Sequence, residues 1–231
     1  MSTEYEYWLF DLDGTLVDVS PSYAQTVIHA VGDEIGYQFS ELQIEQLWHG
    51  LGGTPDYLLN RWGINGSTFW DAFHAIESAK ERAEATFLYP DAEAVGAIES
   101  PVGLVTHCQP YLTKPVLEHL DIADWFDTIV CCDDTLGWKP EPKPVQVARS
   151  NLAIAPGATG VMIGDSSGDI GAAWNAGIEG IHVERHGHNR RGCCIRADEV
   201  VSRIDEIRDV RHAPTTQHIS TAPIDTPAFG E

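Results

Sequence analysis

The chain predicts an α/β fold, an open parallel sheet with helices on both faces, together with an inserted segment that is all helix. Three observations carry that expectation. Short apolar runs of the length of buried strands recur at residues 7–10, 102–106, 128–132, 159–164 and 180–183. Stretches with helical spacing separate the later runs, at 111–120, 144–152 and 170–176. Between the first run and the second, residues 18–88 carry helical periodicity alone. Strand alternating with helix is the pattern of a parallel sheet covered on both sides, and such sheets hold their ligands at the carboxyl ends of the strands.

The first run, Tyr7-Trp8-Leu9-Phe10, stops at Asp11, Asp13 follows two residues on, and Gly14 comes next. In a continuing strand the two acids would share a face. Gly14 instead suits a sharp turn that leaves amides free beside the carboxylates. Two acids next to free N–H groups can hold a divalent cation and an anionic oxygen together. Ser20-Pro21 then predicts a helix start, with the proline at the first helical position and Tyr23, Val27, Ile28 and Val31 on one face. A second helix begins at Ser40 and ends at the glycine-rich turn 50–53, and Thr54-Pro55 opens a short third through Arg61 and Trp62. Residues 67–88 read as one long fourth helix with Phe69, Phe73, Ile76, Ala79, Ala83 and Phe87 along it, so no strand is expected within the insertion.

Beyond residue 89 every central strand ends in a residue that could work on a phosphate. The run 102–106 ends at the hydroxyl of Thr106, and 159–164 ends at Asp165, with Ser166 and Asp169 just beyond. Lys139 stands between them in the stiff sequence Gly137-Trp138-Lys139-Pro140-Glu141-Pro142. A single Thr or Asp at such a position is ordinarily a helix cap, and a single lysine is ordinarily solvated. Four strand ends supplying nucleophile, hydroxyl, cation and metal ligand in order are not explained that way. A weak strand is expected at 193–195 and a last helix at 197–207, and the Pro- and Thr-rich residues 212–231 are expected to be disordered.

Composition narrows the partners. Lys+Arg number 14 against 35 Asp+Glu, a net charge of -21, with lysine only at positions 80, 114, 139 and 143. Such self-repulsion disfavours a compact chain in dilute buffer, whereas at ~1 M salt the screening length falls to roughly 3 Å. The acidic, lysine-poor balance resembles that of halophilic proteins. Duplex nucleic acid and anionic membranes are poor partners for it, since both require a basic face. The five cysteines fit neither a disulfide framework nor a zinc spacing, and no apolar run approaches the ~20 residues of a membrane span. A reduced, cytoplasmic protein is expected, monomer or homodimer.

With those residues in view, the sequence resembles the haloacid dehalogenase-like hydrolase superfamily, in the branch similar to phosphoglycolate phosphatases. Asp11-Leu12-Asp13-Gly14-Thr15 matches its first motif, Thr106 its second and Lys139-Pro140-Glu141-Pro142 its third. Gly164-Asp165-Ser166-Ser167-Gly168-Asp169 matches the fourth. The resemblance spans residues 5 to about 208. It implies a Rossmann-like catalytic core from residues 1–17 and 89–211 with a mobile helical cap from 18–88.

It further implies Asp11 as nucleophile and Asp13 as acid and base, with Lys139 as the charge that binds phosphate. The Leu12 and Asp13 amides, Thr106 and His107 would take phosphoryl oxygens. Magnesium would be held by Asp11, Asp165 and the Asp13 carbonyl, with Thr15, Ser166 and Asp169 behind them. His107 departs from the asparagine common in relatives. In the cap, Trp48, His49 and Arg61 are the candidates for substrate selection. His182, His186 and His188 suggest a metal cluster, but they lie in a loop with Arg185, Arg190 and Arg191, and loop histidines without Cys or acid partners read as solvated.

The expected activity is magnesium-dependent hydrolysis of a small phosphorylated metabolite through an aspartyl-phosphate. A phosphosugar mutase, a dehalogenase and a non-catalytic family member remain as alternatives. Asp13 argues against the dehalogenase, which needs no second acid.

Overall fold

The computed structural model describes residues 5–209. The sequence expectation for 212–231 lies outside the described residues, as do the outermost few residues assigned to the core. Six strands form one sheet: β1 (Tyr7–Phe10), β4 (Val102–Thr106), β5 (Thr128–Cys131), β6 (Gly160–Gly164), β7 (Glu179–Val183) and β8 (Glu199–Val201). Their order is β5-β4-β1-β6-β7-β8, and every pairing is parallel.

The first strand is therefore the central one, with Trp8 opposite Val102 on one side and Val161 on the other. The chain fills one half of the sheet from the centre outward and then the other half. That reversal opens a crevice at the carboxyl ends of β1, β4 and β6.

Period-two alternation sorts the core into two layers. Trp8 and Phe10 join Leu104, Val161, Ile163 and Ile181 on one face of the sheet. Tyr7 and Leu9 join Val105, Met162, Val145 and Ala173 on the other. Because β1 is buried on both faces, all four of its residues are apolar, which is why the run reads as continuous rather than alternating. Helices α6 (Pro110–His119), α7 (Lys143–Asn151) and α8 (Ser167–Asn175) make the crossovers, each beginning within a residue or three of the expected position.

The insertion holds five helices: α1 (Pro21–Ile35), α2 (Glu41–His49), α3 (Pro55–Arg61), α4 (Gly66–Ile76) and α5 (Ala79–Ala85). They enclose a separate apolar cluster built on Val27, Ile28, Leu47, Leu59 and Phe69.

Two sequence expectations fail here. The single helix over 67–88 is broken, because Glu77 and Ser78 are extended and the Ser78 hydroxyl caps α5 by accepting the Glu81 amide at 3.4 Å. A serine followed three residues later by glutamate is a start signal, and it overrides continuing helical periodicity. A strand does occur in the region: β3 (Thr86–Leu88) pairs antiparallel with β2 (Val17–Val19), with Val17 opposite Leu88 and Val19 opposite Thr86. Phe87, expected on a helix face, is consequently turned outward and 44% exposed.

The carboxyl-terminal expectations also change. Cys193 and Cys194 are exposed in irregular chain, not in a strand. The edge strand is β8, followed by a 3-10 turn over Ile204–Asp209 in place of the helix expected over 197–207. Val201, Ile204 and Ile207 are buried at a spacing of three, which an α-helix and a 3-10 turn both satisfy, so the pattern could not separate them. A short helix α9 (His188–Arg191) lies in the loop between β7 and β8. No helix among the described residues is long and apolar enough to cross a membrane.

Candidate active site

Asp11 is the residue at which β1 leaves the sheet. Its amide still donates to the Ile163 carbonyl at 2.9 Å. The next residues close a tight turn in which the Leu12 carbonyl accepts from the amides of Thr15, Leu16 and Val17. Gly14 has φ +75°, and a Cβ there would sit 2.8 Å from the Asp165 carboxylate. Only glycine lets this turn approach the end of β6 so closely. Among the described residues the Leu12 and Asp13 amides have no hydrogen-bond acceptor, which leaves two donors at the mouth of the crevice.

Lys139 comes in from the loop before α7, and its ammonium is enclosed by protein. Nζ lies 2.6 Å from Asp11 Oδ1, 2.6 Å from Asp169 Oδ1 and 2.9 Å from the Val105 carbonyl, so its three protons are each directed at an oxygen. Asp169 Oδ2 accepts from the Ser166 amide and hydroxyl, at 3.0 and 2.6 Å, as half of the capping box of α8. Asp169 thus points Lys139 at Asp11 while fixing the helix that carries it. Asp165 ends β6 and accepts from Arg191 at 3.1 Å.

Asp11, Asp165 and Asp169 each present a carboxylate oxygen within 4.8 Å of the others, all three side chains buried. Against these three negative charges the site sets Lys139 and Arg191, leaving one negative charge over. Burial pushes Asp11 well above the carboxylate range and Asp165 up to about 6, and the neighbouring acids add to both. Lys139 is held above the usual lysine range by Asp11 and Asp169, which outweigh its own desolvation. Asp169 is held low by Lys139, which outweighs its burial.

Hard oxygen donors, a glycine-made cradle and two desolvated carboxylates together fit a divalent cation between Asp11 and Asp165. The Thr15 hydroxyl is also buried there without a partner among the described residues.

Thr106 ends β4, buried, and its hydroxyl accepts from the Cys108 amide at 3.0 Å, leaving its own proton to donate. The expectation for His107 changes in detail. Its Nε2 accepts the Lys139 amide at 2.9 Å, so the imidazole holds the lysine loop and only the backbone amide remains for an anion. Burial and Lys139 push its pKa down to about 3, as that acceptor role requires.

Of the insertion candidates, Trp48 stands beside the site, His49 turns to Asp18, and Arg61 is exposed at the end of α3. Within the insertion, Arg82 of α5 reaches the first turn, a residue the sequence does not single out. Its guanidinium pairs with Asp13 through Nη2 and with Glu77 at 3.3 Å, and it lies 5.2 Å from the centre of the Trp48 ring. Burial lifts Glu77 above its usual range, Arg82 opposes that shift, and the Tyr23 hydroxyl donates to it at 3.3 Å. A single helix over 67–88 gives no reason for Arg82 to point inward. The signal was the break at Glu77-Ser78, which turns both residues inward.

A family model for haloacid dehalogenase-like hydrolases matches residues 8–183. The chain belongs to that family. Phosphoglycolate phosphatases from Shigella sonnei and from Escherichia coli K12 are 31% and 30% identical to it, over 78% of this chain and 81% of theirs. Among solved structures, a haloacid dehalogenase-like family protein from Streptococcus pneumoniae superposes with a TM-score of 0.70 at 18% identity, covering 89% of this chain and 97% of that one. A HAD phosphatase from Thermococcus onnurineus gives 0.63 at 24% identity, covering 88% and 96%. These two likenesses carry the fold. The family makes the chain a hydrolase.

Proposed function

We propose that this hydrolase is a magnesium-dependent phosphatase for a small phosphomonoester of the phosphoglycolate type, working through an aspartyl-phosphate on Asp11. The enzyme is a phosphoric monoester hydrolase. The observation that supports the mechanism is that Asp11, Lys139 and Asp165 meet in one buried cluster, with Thr106 buried at the end of the adjoining strand β4.

Asp11 Oδ attacks phosphorus while the bond to the ester oxygen breaks, and Asp13 gives that oxygen a proton. Asp13 then takes a proton from water as the water oxygen attacks phosphorus, releasing phosphate and restoring Asp11. Lys139 holds Asp11 in line, and Thr106 with the Leu12, Asp13 and His107 amides takes the phosphoryl oxygens. Magnesium, held by Asp11, Asp165 and the Asp13 carbonyl, would supply the charge that lets an anionic nucleophile meet an anionic substrate.

The helical insertion is the cap, bounded by residues 18–88, and Arg82 supports the substrate class. It is the cap cation aimed at the first turn, and a carboxylate next to the phosphate could replace Asp13 as its partner. The test is release of inorganic phosphate from a panel of phosphorylated metabolites at high KCl, with product isomers assayed in parallel. Phosphate release should need added magnesium, stop with chelator and disappear in Asp11→Asn. Isomer formation from a hexose 1-phosphate, or Asp11→Asn turnover near wild type, would refute the proposal.

A further inference from the structure

The three histidines near the end of β7 do not act as a group. His182 is buried and faces the Gly164 carbonyl at 3.3 Å, while His188 is exposed at the start of α9. His186 instead finds partners far away in sequence: His49, the last residue of α2, and Asp18 of β2. The two rings lie 4.5 Å apart between centroids, and His49 Nδ1 is 3.8 Å from Asp18 Oδ2. One donor atom from each of the three residues falls within 4.8 Å of the other two. His186 Nε2 is buried and has no hydrogen-bond partner among the described residues, an unmet polar atom on the ring that packs against His49.

The surroundings prepare these groups for a metal. The Asp18 carboxylate is oriented by the Val19 amide on Oδ1 at 2.7 Å and the Tyr89 hydroxyl on Oδ2 at 2.8 Å, with lone pairs left on both oxygens. Burial keeps both imidazoles neutral, the ligating form; His186 is pushed down to about 4, with His49, Arg190 and Arg191 adding to the effect. The two arginines do not face the cluster as free charges, since Arg190 pairs with Glu45 and Arg191 with Asp165.

We propose that Asp18, His49 and His186 form a second metal site, separate from the acidic centre and selective for a borderline ion such as zinc. Two imidazoles and one carboxylate suit zinc, with water as fourth ligand, whereas magnesium prefers oxygen alone. Bonds of about 2.0–2.2 Å require the donors to close by roughly 1 Å, a movement that side-chain rotation supplies. An ion there joins three parts of the molecule: the connecting strand through Asp18, the insertion through His49 and the core loop through His186. It would act as a fastener between insertion and core, reinforcing the Gly52 amide to Arg191 carbonyl bond at 2.8 Å that already links them.

The test is calorimetric titration of zinc into chelator-stripped protein kept saturated with magnesium, so that the acidic centre does not compete. One equivalent should bind, and X-ray absorption of the complex should show two imidazoles with oxygen and no sulfur. His49→Ala/His186→Ala should weaken binding at least ~100-fold, since even groups that only orient a ligand cost 10–100-fold when removed. Cys193→Ser/Cys194→Ser and His188→Ala should bind like wild type. Absence of binding, a sulfur shell, or undiminished affinity in the double histidine variant would overturn the proposal. The absorption measurement on wild type decides the matter even if a variant fails to fold. Magnesium-dependent phosphate release is read separately and does not depend on the outcome.

Discussion

Replacing Arg82 by methionine tests how the insertion and the reaction site are coupled. The change keeps a stem against Trp48 and removes the guanidinium from both Asp13 and Glu77. The Glu77 side chain is 2% exposed, so removing its partner leaves a buried carboxylate that ordinarily costs about 3–5 kcal/mol. Glu77 can relieve part of this by taking a proton, because its pKa already lies above the usual range and Tyr23 remains beside it. The folded-state pKa being the higher one, the penalty is largest at neutral and alkaline pH and fades as pH falls toward the unfolded value.

At pH 7 the loss should be about 3 kcal/mol, or a fall in melting temperature of about 6–12 °C at roughly 2–4 °C per kcal/mol for a chain of this size. Adding Glu77→Gln to Arg82→Met removes the orphaned charge and should restore most of that stability. It should not restore turnover, because the cation facing Asp13 and the substrate is still missing. Thermal melts and phosphate-release kinetics on wild type, the single variant and the double variant separate the two effects. Recovery of full activity together with stability in the double variant would show that Arg82 serves the fold alone.

Gly14→Ala places a Cβ 2.8 Å from the Asp165 carboxylate at a residue with φ +75°, so it should cut kcat/KM by at least ~100-fold and weaken the magnesium requirement curve. Gly36→Ala is the control: φ is +72° with nothing within 4 Å, so it should cost ~1 kcal/mol of stability in urea unfolding and leave activity intact. His182 is buried and its pKa is lowered by burial and by Arg191, so the native state holds it neutral while the unfolded chain protonates it below about pH 6.5. Its contribution is present above that pH and is lost as pH falls; His182→Gln should flatten the stability curve just below pH 6.5, where the slope per site is at most about 1.4 kcal/mol per pH unit, in urea titrations. With a net charge of -21 the melting temperature should climb as KCl is raised toward molar levels, and a flat or falling curve would reject the salt-adapted reading.

The sheet was readable from sequence because a strand covered on both faces leaves a plain mark, an unbroken apolar run ending at a polar residue. The four apolar runs after the first form strands within a residue of their places, whereas the weak strand expected at 193–195 does not form. Asp11, Thr106, Lys139 and Asp165 could be picked out for the same reason, since each follows such a run or sits in a proline-stiffened loop near one. Sequence did not show which groups would meet across the insertion. Arg82 and Glu77 were hidden by a helix that seemed continuous, and β2 and β3 are three residues each, too short for alternation to register. The neighbours of His186, Asp18 and His49, were invisible in sequence because they are 168 and 137 positions away. Proximity of that kind belongs to the folded topology, whereas spacing along the chain reports only neighbours on one element.

The short ladder between Val17–Val19 and Thr86–Leu88 has a consequence for how this architecture can diversify. The polypeptide departs for its helical excursion and returns from it at the same spot, side by side and hydrogen-bonded. Everything between those two crossings could be lengthened, shortened or exchanged for another layout while the sheet and its acids keep their register. One part of the gene can then vary while the part that encodes the sheet stays as it is.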